Sequence, residues 1–527
     1  MDVPPATGPR RAERRWLYGC GAVAYLGMLG VCARRLTADG YDGVGFILAL
    51  SHFDPGRWQP QPPGYPLFVL LGRVPVALGI GPALALALVN AVLLAAGLWA
   101  LSWGLRRLAG ATAGQLAALL LPAGPLGFAL ALSSLSDAAG LGALLLAALP
   151  LLRPGVPSPR RLWMGGAAVG LALGVRPAYA PLAAAVVVAM ACWAGWRAAA
   201  RVALAIALPS LGWLVPLAAW VGPQRLWALS LTHAQGHFAD FGGSVVSDPH
   251  LARRFADLVK LCLVGAGGAV ALPWVVLGGV ALWARPPRLW PAAARRCAAS
   301  LLGFIIVYGL WVLLALPLQG HGRHALPLTV AFLALLAVIV GTALPQSAGD
   351  DADGLLADAA PPAPRWPEVR RSAACRPPAR HGGELRYALG IGSAVLLCAL
   401  WGSSLHTVFG YRRSKAPGPA LAEYVVAGFP RGTALYGARA ARHLDAYLGT
   451  GTARPAQYLG EVIADSVREV PLPSSVLFTS EVQLPAGLAQ RFPPLSRFCY
   501  AAAIPAWLRF DRFAADCVTL YAYRVAP

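Results

Sequence analysis

The chain has 527 residues, 57% hydrophobic and 13% charged, with a mean hydropathy of +0.58. Soluble globular proteins carry charge on roughly a quarter of their residues, so a soluble fold is excluded and the bilayer is the natural solvent. The formal net charge of +21 raises nucleic acid as a partner, but the arginines sit between apolar runs, which is how a membrane protein is oriented, and nucleic acid is set aside.

Residues 1–15 carry Arg10, Arg11, Arg14 and Arg15 ahead of an apolar run from Trp16 to Ala33. No small-residue cleavage site in a polar context follows, so the run reads as an uncleaved anchor with the N-terminus inside. Further apolar runs, each near the 20 residues a helix needs to cross a bilayer, lie at about 83–105, 112–132, 136–152, 162–176, 178–195, 202–221, 259–284, 299–318, 325–344 and 388–409. About eleven helices are therefore expected, an all-α polytopic membrane protein. The alternation places Arg106 and Arg107, Arg153 with Arg160 and Arg161, Arg197 with Arg201, Arg285 to Arg296, and Arg365 to Arg386 on the inside. Arg34, Arg35, Arg253, Arg254 and Lys260 fall on the outside instead, where an anionic ligand or lipid headgroups would account for them.

A transmembrane core over 16–345 thus carries two outer loops, 34–82 and 222–258. Residues 346–387, with Asp350, Asp351, Asp353 and many prolines, read as a disordered cytoplasmic linker. A last helix at 388–410 leads to a polar tail, 411–527, with short alternating stretches at Ser475–Thr479 and Thr519–Tyr523, the pattern of a small extracytoplasmic α/β domain. Cys499 and Cys517 share that tail, and a disulfide between them would stabilise it by about 3 kcal/mol.

The chemistry concentrates in the first outer loop: Asp39-Gly-Tyr-Asp42-Gly-Val-Gly-Phe46, then His52-Phe-Asp54-Pro-Gly-Arg57-Trp58, then Gln59-Pro-Gln61-Pro62-Pro63-Gly64-Tyr65-Pro66, running on to Arg73. Carboxylates just outside a helix end, beside a proline-braced turn, suit activation of a hydroxyl. In the second loop His233 and His237 are four residues apart, as on one face of a metal-binding helix, but no HExxH glutamate accompanies them and Gly236 weakens a helix there. A divalent cation, a substrate contact and a plain solvent-facing loop all remain open.

The order of one acidic residue, an aromatic helix and a Pro62-Pro63-Gly64-Tyr65-Pro66-Leu67 turn resembles the glycosyltransferase-C superfamily, most nearly its bacterial protein O-mannosyltransferase-like members. Ser133–Asp137, Gly174-Val-Arg176-Pro177-Ala-Tyr179 and Gly322-Arg323-His324-Ala-Leu-Pro327 are similar to further elements in the same order. Gly43 and Gly45 stand where a second acid is frequent in that superfamily, and Gln61 where a histidine is common. The resemblance implies an inverting hexosyltransferase. Asp42 would be its catalytic carboxylate and a polyprenyl-phosphate-linked sugar such as mannose its donor. The acceptor would be a hydroxyl of a protein, glycan or lipid, on the outer face of a bacterial inner membrane. It also implies that Arg323, Arg34 or Arg35 faces the phosphate. Asp39, His52, Asp54, Gln61, Tyr65, Asp137, Arg176, His233, His237 and His324 complete the candidate substrate contacts.

Structural readings stand beside these. Asp42 and Asp137 are both suited to capping helices, the proline-rich turn to redirecting the chain, and Arg323 to flanking a span. The alternative functional class is a transporter or flippase, which would show ionisable groups near the midplane and matched broken helices in two halves.

Overall fold

The computed structural model describes residues 41–151, 157–240, 243–318, 322–344, 381–413 and 417–429, residue 492, and five strands between 434 and 524. The first expected span, the Arg34, Arg35 and Asp39 candidates and most of the 346–387 linker lie outside these residues.

Sixteen helices are described. The expected outer loop 34–82 is largely helical, holding α1 (Tyr41–Ser51) and α2 (Pro66–Ala77). Then follow α3 (Pro82–Ala109), α4 (Ala111–Leu120), α5 (Pro125–Ala131), α6 (Asp137–Ala148), α7 (Pro159–Val175), α8 (Ala180–Ala194) and α9 (Trp196–Val221). The second outer loop likewise holds α10 (Pro223–Gln235) and the start of α11 (Leu251–Gly265). The bundle continues with α12 (Ala271–Ala284), α13 (Ala292–Ala315), α14 (Leu326–Ala343), α15 (His381–Arg413) and α16 (Pro417–Gly428). Prolines at the first turns of α2, α3, α5, α7 and α10 start helices at no hydrogen-bond cost, since the first N–H groups have no partner anyway. Gly110 and Gly222, at φ 104° and 92°, turn the chain between consecutive helices.

Six of the described helical segments are long and apolar enough to cross a membrane, and up to eight if two bent pairs each count as one span. The expected spans at 112–132 and 259–284 are those pairs. α4 and α5 meet at 60° across Leu121–Gly124, and α11 meets the segment containing α12 at 88° across Ala266 and Gly267. The expected 136–152 span is a 12-residue helix, α6. A window tuned to 20 apolar residues passes over breaks whose residues are themselves apolar. Pro122, Gly124, Gly267 and Gly268 break the helices, and the freed backbone groups need partners in a medium without water. At the break between α4 and α5, α15 supplies them: Trp401 Nε1 donates to the Leu119 carbonyl at 3.1 Å, and the Ser404 hydroxyl donates to the Ala123 carbonyl.

Glycines set the close crossings. A Cβ on Gly97 or Gly142 would strike the backbone of the partner helix where α3 crosses α6, and one on Gly170 would strike the Ile206 carbonyl where α7 crosses α9. α14 is buried along almost its whole length and forms the central pillar. A separate apolar cluster of Val44, Phe46, Tyr65, Phe68, Leu86 and Val175 seats α1 and α2 on the bundle.

The tail contains the expected small sheet. β1 (Ala434–Tyr436), β2 (Ala453–Arg454), β3 (Val476–Ser480), β4 (Pro494–Cys499) and β5 (Cys517–Arg524) lie in the order β2-β1-β3-β5-β4. β1 is parallel to both neighbours, whereas β5 is antiparallel to β3 and β4. Leu421 and Val425 of α16 pack on Leu477 and Leu520. Cys499 and Cys517 are register partners across β4 and β5 and form the expected disulfide.

Removing the α15 donors leaves buried carbonyls unpaired, at about 1–3 kcal/mol each. Trp401→Phe and Ser404→Ala should each lower the thermal unfolding midpoint in detergent. Unchanged midpoints would mean that the break between α4 and α5 does not depend on α15.

Candidate functional site

Four charged side chains converge where α1, the turn before α14, the start of α6 and the end of α7 meet. Asp42 lies in the first turn of α1, where a carboxylate also suits the helix dipole. Its Oδ2 accepts a hydrogen bond from Arg323 Nη2 at 2.7 Å, with the two side chains 23% and 13% exposed. Arg323 sits in a single helical turn, Gly322–Ala325, leading directly into the buried α14, so its backbone is anchored by the central pillar. The opposite end of α1 is fixed from α2: Arg73 Nε and Nη2 donate to the Leu50 and Ala49 carbonyls at 2.9 and 3.1 Å. Those terminal carbonyls have no partner within α1.

Asp137 and Arg176 form a second pair, Oδ1 to Nη2 at 2.7 Å, with almost no exposure. Arg176 Nη1 also donates to the Ser136 hydroxyl at 2.8 Å, and the Tyr179 hydroxyl donates to the Asp137 carbonyl at 3.2 Å. Gly140 makes room, because a Cβ there would meet the aliphatic stem of Arg176. Asp137 does stand in the first turn of α6, but its carboxylate is turned to Arg176.

Tyr65 lies between the two pairs. It is buried with its ring edge-on to Phe46 at 5.1 Å, and its hydroxyl feels Arg176, Asp42, Asp137 and Arg323 together. Burial is the largest influence and pushes its pKa up; Arg176 opposes this and Asp42 reinforces it, so the phenol stays protonated as a donor. Tyr65 at φ 50° and Trp58 at φ 60° are the two non-glycine residues with positive φ among the described residues, and both lie in this loop. Such backbone strain costs of order 1–3 kcal/mol and concentrates at functional sites. Gly45 belongs to the same packing, since a Cβ there would strike the Trp58 carbonyl at 2.7 Å. The position that lacks the second acid is therefore one where α1 must approach the loop backbone.

His233 adjoins the cluster from α10. Its ring is edge-on to Trp58 at 5.1 Å and 6.3 Å from that of His237, which lies in the π-helical turn Gly236–Asp240. Burial lowers its pKa against the opposing pull of Asp42, so the imidazole is neutral at physiological pH. No group of three or more His, Cys, Asp or Glu that could hold a metal ion occurs among the described residues.

Other candidates lie elsewhere or have structural work. Gln61 is buried beside Gly45, and His324 is buried next to Arg323. His52 is exposed beyond the end of α1. Asp54 caps the turn Pro55–Arg57 by accepting from the Gly56 N–H at 2.9 Å, and faces Arg57 at 3.6 Å and Arg225 at 3.8 Å. Arg254 binds backbone instead of an anion: it donates to the carbonyls of Leu313, Gly243 and Leu316 at 2.8, 2.6 and 2.9 Å, two of them at the C-terminal end of α13.

Two residues beyond the sequence candidates also lie here: Asn90, whose signal in sequence is a lone amide in an apolar run, and Tyr308, whose ring is 6.4 Å from that of Tyr179. Tyr308 lines an apolar cavity of about 470 Å³ with Pro181, Leu182, Phe238, Val307 and Trp311 among others.

Together these features define a polytopic helical membrane protein with one buried and one partly buried ion pair gathered at one end of its bundle. Two solved structures share this fold at 17% identity. ArnT from Cupriavidus metallidurans in the apo state has a TM-score of 0.62 over 97% of this chain and 98% of that one. ArnT from the same organism bound to undecaprenyl phosphate has a TM-score of 0.60 over 96% and 98%. No family model and no curated protein sequence matches the chain.

Two predictions follow from the geometry. Arg176→Ala or Asp137→Ala strands a buried charge and should cost about 3–5 kcal/mol in thermal or denaturant unfolding, while replacing both partners by apolar residues costs much less. His233 has a folded pKa below its unfolded value, so the folded protein loses stability as pH falls below about 6.5, because the unfolded chain then binds the extra proton. His233→Gln should flatten that acid limb of a pH series of unfolding midpoints; an unchanged limb would assign it to other groups.

Proposed function

We propose that the chain is a membrane glycosyltransferase, transferring a sugar such as mannose from a polyprenyl-phosphate donor to an acceptor hydroxyl with inversion. The observation that carries the reading is the 2.7 Å contact between Asp42 and Arg323, on a fold similar to that of a protein crystallised with undecaprenyl phosphate. In the resting site Arg323 neutralises the carboxylate. An incoming donor phosphate offers Arg323 an equivalent anionic partner, and the exchange uncovers Asp42. The acceptor oxygen then attacks the anomeric carbon from the face opposite the phosphate. The bond from that carbon to the phosphate oxygen breaks, and its electron pair leaves with the polyprenyl phosphate. The acceptor proton passes to Asp42. Arg323 balances the charge that develops on the leaving phosphate, and the buried Tyr65 hydroxyl serves as a neutral donor beside it.

The apolar cavity next to Tyr308 and Trp311 supports a polyprenyl chain as the lipid part of the donor. The disulfide in the tail supports an oxidising compartment, hence a C-terminal domain and active site on the outer face of a bacterial inner membrane. The acceptor is a protein, glycan or lipid hydroxyl.

The transporter reading draws on the two broken helices. However, the residues at the breaks carry no charge, and one break is plugged by Trp401 and Ser404 of α15. Transporter half-helices instead leave their ends aimed at a substrate.

The test is transfer from radiolabelled polyprenyl-phosphate sugars to candidate acceptors in nanodiscs. Asp42→Asn should reduce transfer by about two to four orders of magnitude while leaving donor binding intact, and Arg323→Ala should weaken donor binding instead. Near-full activity of Asp42→Asn would remove the carboxylate mechanism.

A further inference from the structure

α6 begins in an unusual way. Its N-cap residue is Ser136, and an N-cap serine ordinarily turns its hydroxyl to accept the N–H of the third helical residue, here Ala139. Ser136 makes no such bond. Its hydroxyl accepts from Arg176 Nη1 at 2.8 Å instead. The Ala139 N–H is satisfied from a neighbouring helix, donating to Asn90 Oδ1 of α3 at 2.8 Å. The same amide spends both its hydrogens on the turn that leads into α6, donating to the Ser133 carbonyl at 2.8 Å and the Leu135 carbonyl at 2.7 Å. Asn90 is fully buried within an otherwise apolar helix face. A buried amide with one acceptor and two donors, all engaged by a single turn, is matched to that turn's backbone.

We infer that Asn90 is a positioning residue: it takes over the cap of α6 from Ser136, and so frees the Ser136 hydroxyl to hold Arg176 against Asp137. Without Asn90 the Ala139 N–H is a buried orphan donor, and the acceptor placed to rescue it is Ser136. Once Ser136 turns back to its own helix, Arg176 loses the Ser136 hydroxyl. Arg176 acts electrostatically on both Tyr65 and Arg323, so its displacement reaches the pair that meets the donor phosphate. This last consequence rests on the proposed transferase reading; the exchange of caps does not.

The test is a double-mutant cycle of Asn90→Ala and Ser136→Ala in the full chain, in nanodiscs, read by thermal unfolding and by the Kd for undecaprenyl phosphate. Each single variant should weaken lipid binding by about tenfold, and the double variant no further, because Arg176 has lost the same hydroxyl in all three. Stability should couple in the opposite sense. Asn90→Ala should lower the unfolding midpoint by a few degrees in the wild-type background and by more in the Ser136→Ala background, where no hydroxyl remains to take over the cap. Should Asn90→Ala fail to fold, Asn90→Ser carries the same comparison. Additive effects on the unfolding midpoint overturn the exchange of caps. Coupled midpoints with unchanged lipid affinity overturn its reach to the site. A wild-type chain that binds no undecaprenyl phosphate counts against the transferase reading, while the midpoints still decide the cap.

Discussion

The contact between Asp42 and Arg323 joins positions 281 residues apart, and most of the architecture around it serves to hold those two side chains at one point. Arg323 is fixed because the turn carrying it runs into α14, buried along nearly its whole length. Asp42 is fixed because α1 is pinned by Arg73 at its far end and by the Val44, Phe46 and Phe68 cluster along its side. Removing water from two charges is costly, and losing one partner leaves the other uncompensated. The pair therefore yields cheaply only to a ligand that replaces one charge with another of the same sign.

The second pair sets the balance of the site. Asp42 and Asp137 carry two negative charges, and Arg176 and Arg323 two positive ones, gathered around a phenol that burial keeps protonated. Arg176 and Asp137 are tied into the bundle by Ser136, Tyr179 and the space left at Gly140, whereas Arg323 pairs with Asp42 and both keep some exposure. The fixed pair is a floor; the partly exposed pair is the part that responds to a ligand. The strained backbone at Tyr65 and Trp58 belongs to this division, since only surrounding packing maintains such conformations.

Much of the fold was legible because apolar runs in a bilayer have one solution, the helix. Two of the tail strands, β3 and β5, were legible from alternation, and the Cys499 to Cys517 bridge from its isolation in a polar segment. The breaks at Leu121–Gly124 and Ala266 to Gly267 were not, because hydropathy is blind to backbone direction and the breaking residues are apolar. Arg254 is, from sequence, an outer charge awaiting an anionic ligand or lipid headgroups, because sequence shows the charge but not the carbonyls of Gly243, Leu313 and Leu316 that receive it. In the site, Asp42, Tyr65, Asp137, Arg176 and Arg323 each stood out through local motifs. Their pairing did not: local motifs match Asp42 to an acceptor hydroxyl and Arg323 to a phosphate, and only the three-dimensional fold brings the two together. Asn90 escaped notice because a single amide scarcely alters the apolarity of a 28-residue helix.

The most direct measurement is a structure of the chain in nanodiscs saturated with undecaprenyl phosphate. Exchange of partners at the site predicts the phosphate within hydrogen-bonding distance of the Arg323 guanidinium, with the Asp42 carboxylate released and open to the outer face. A phosphate bound elsewhere, with the 2.7 Å contact between Asp42 and Arg323 intact, would contradict the account.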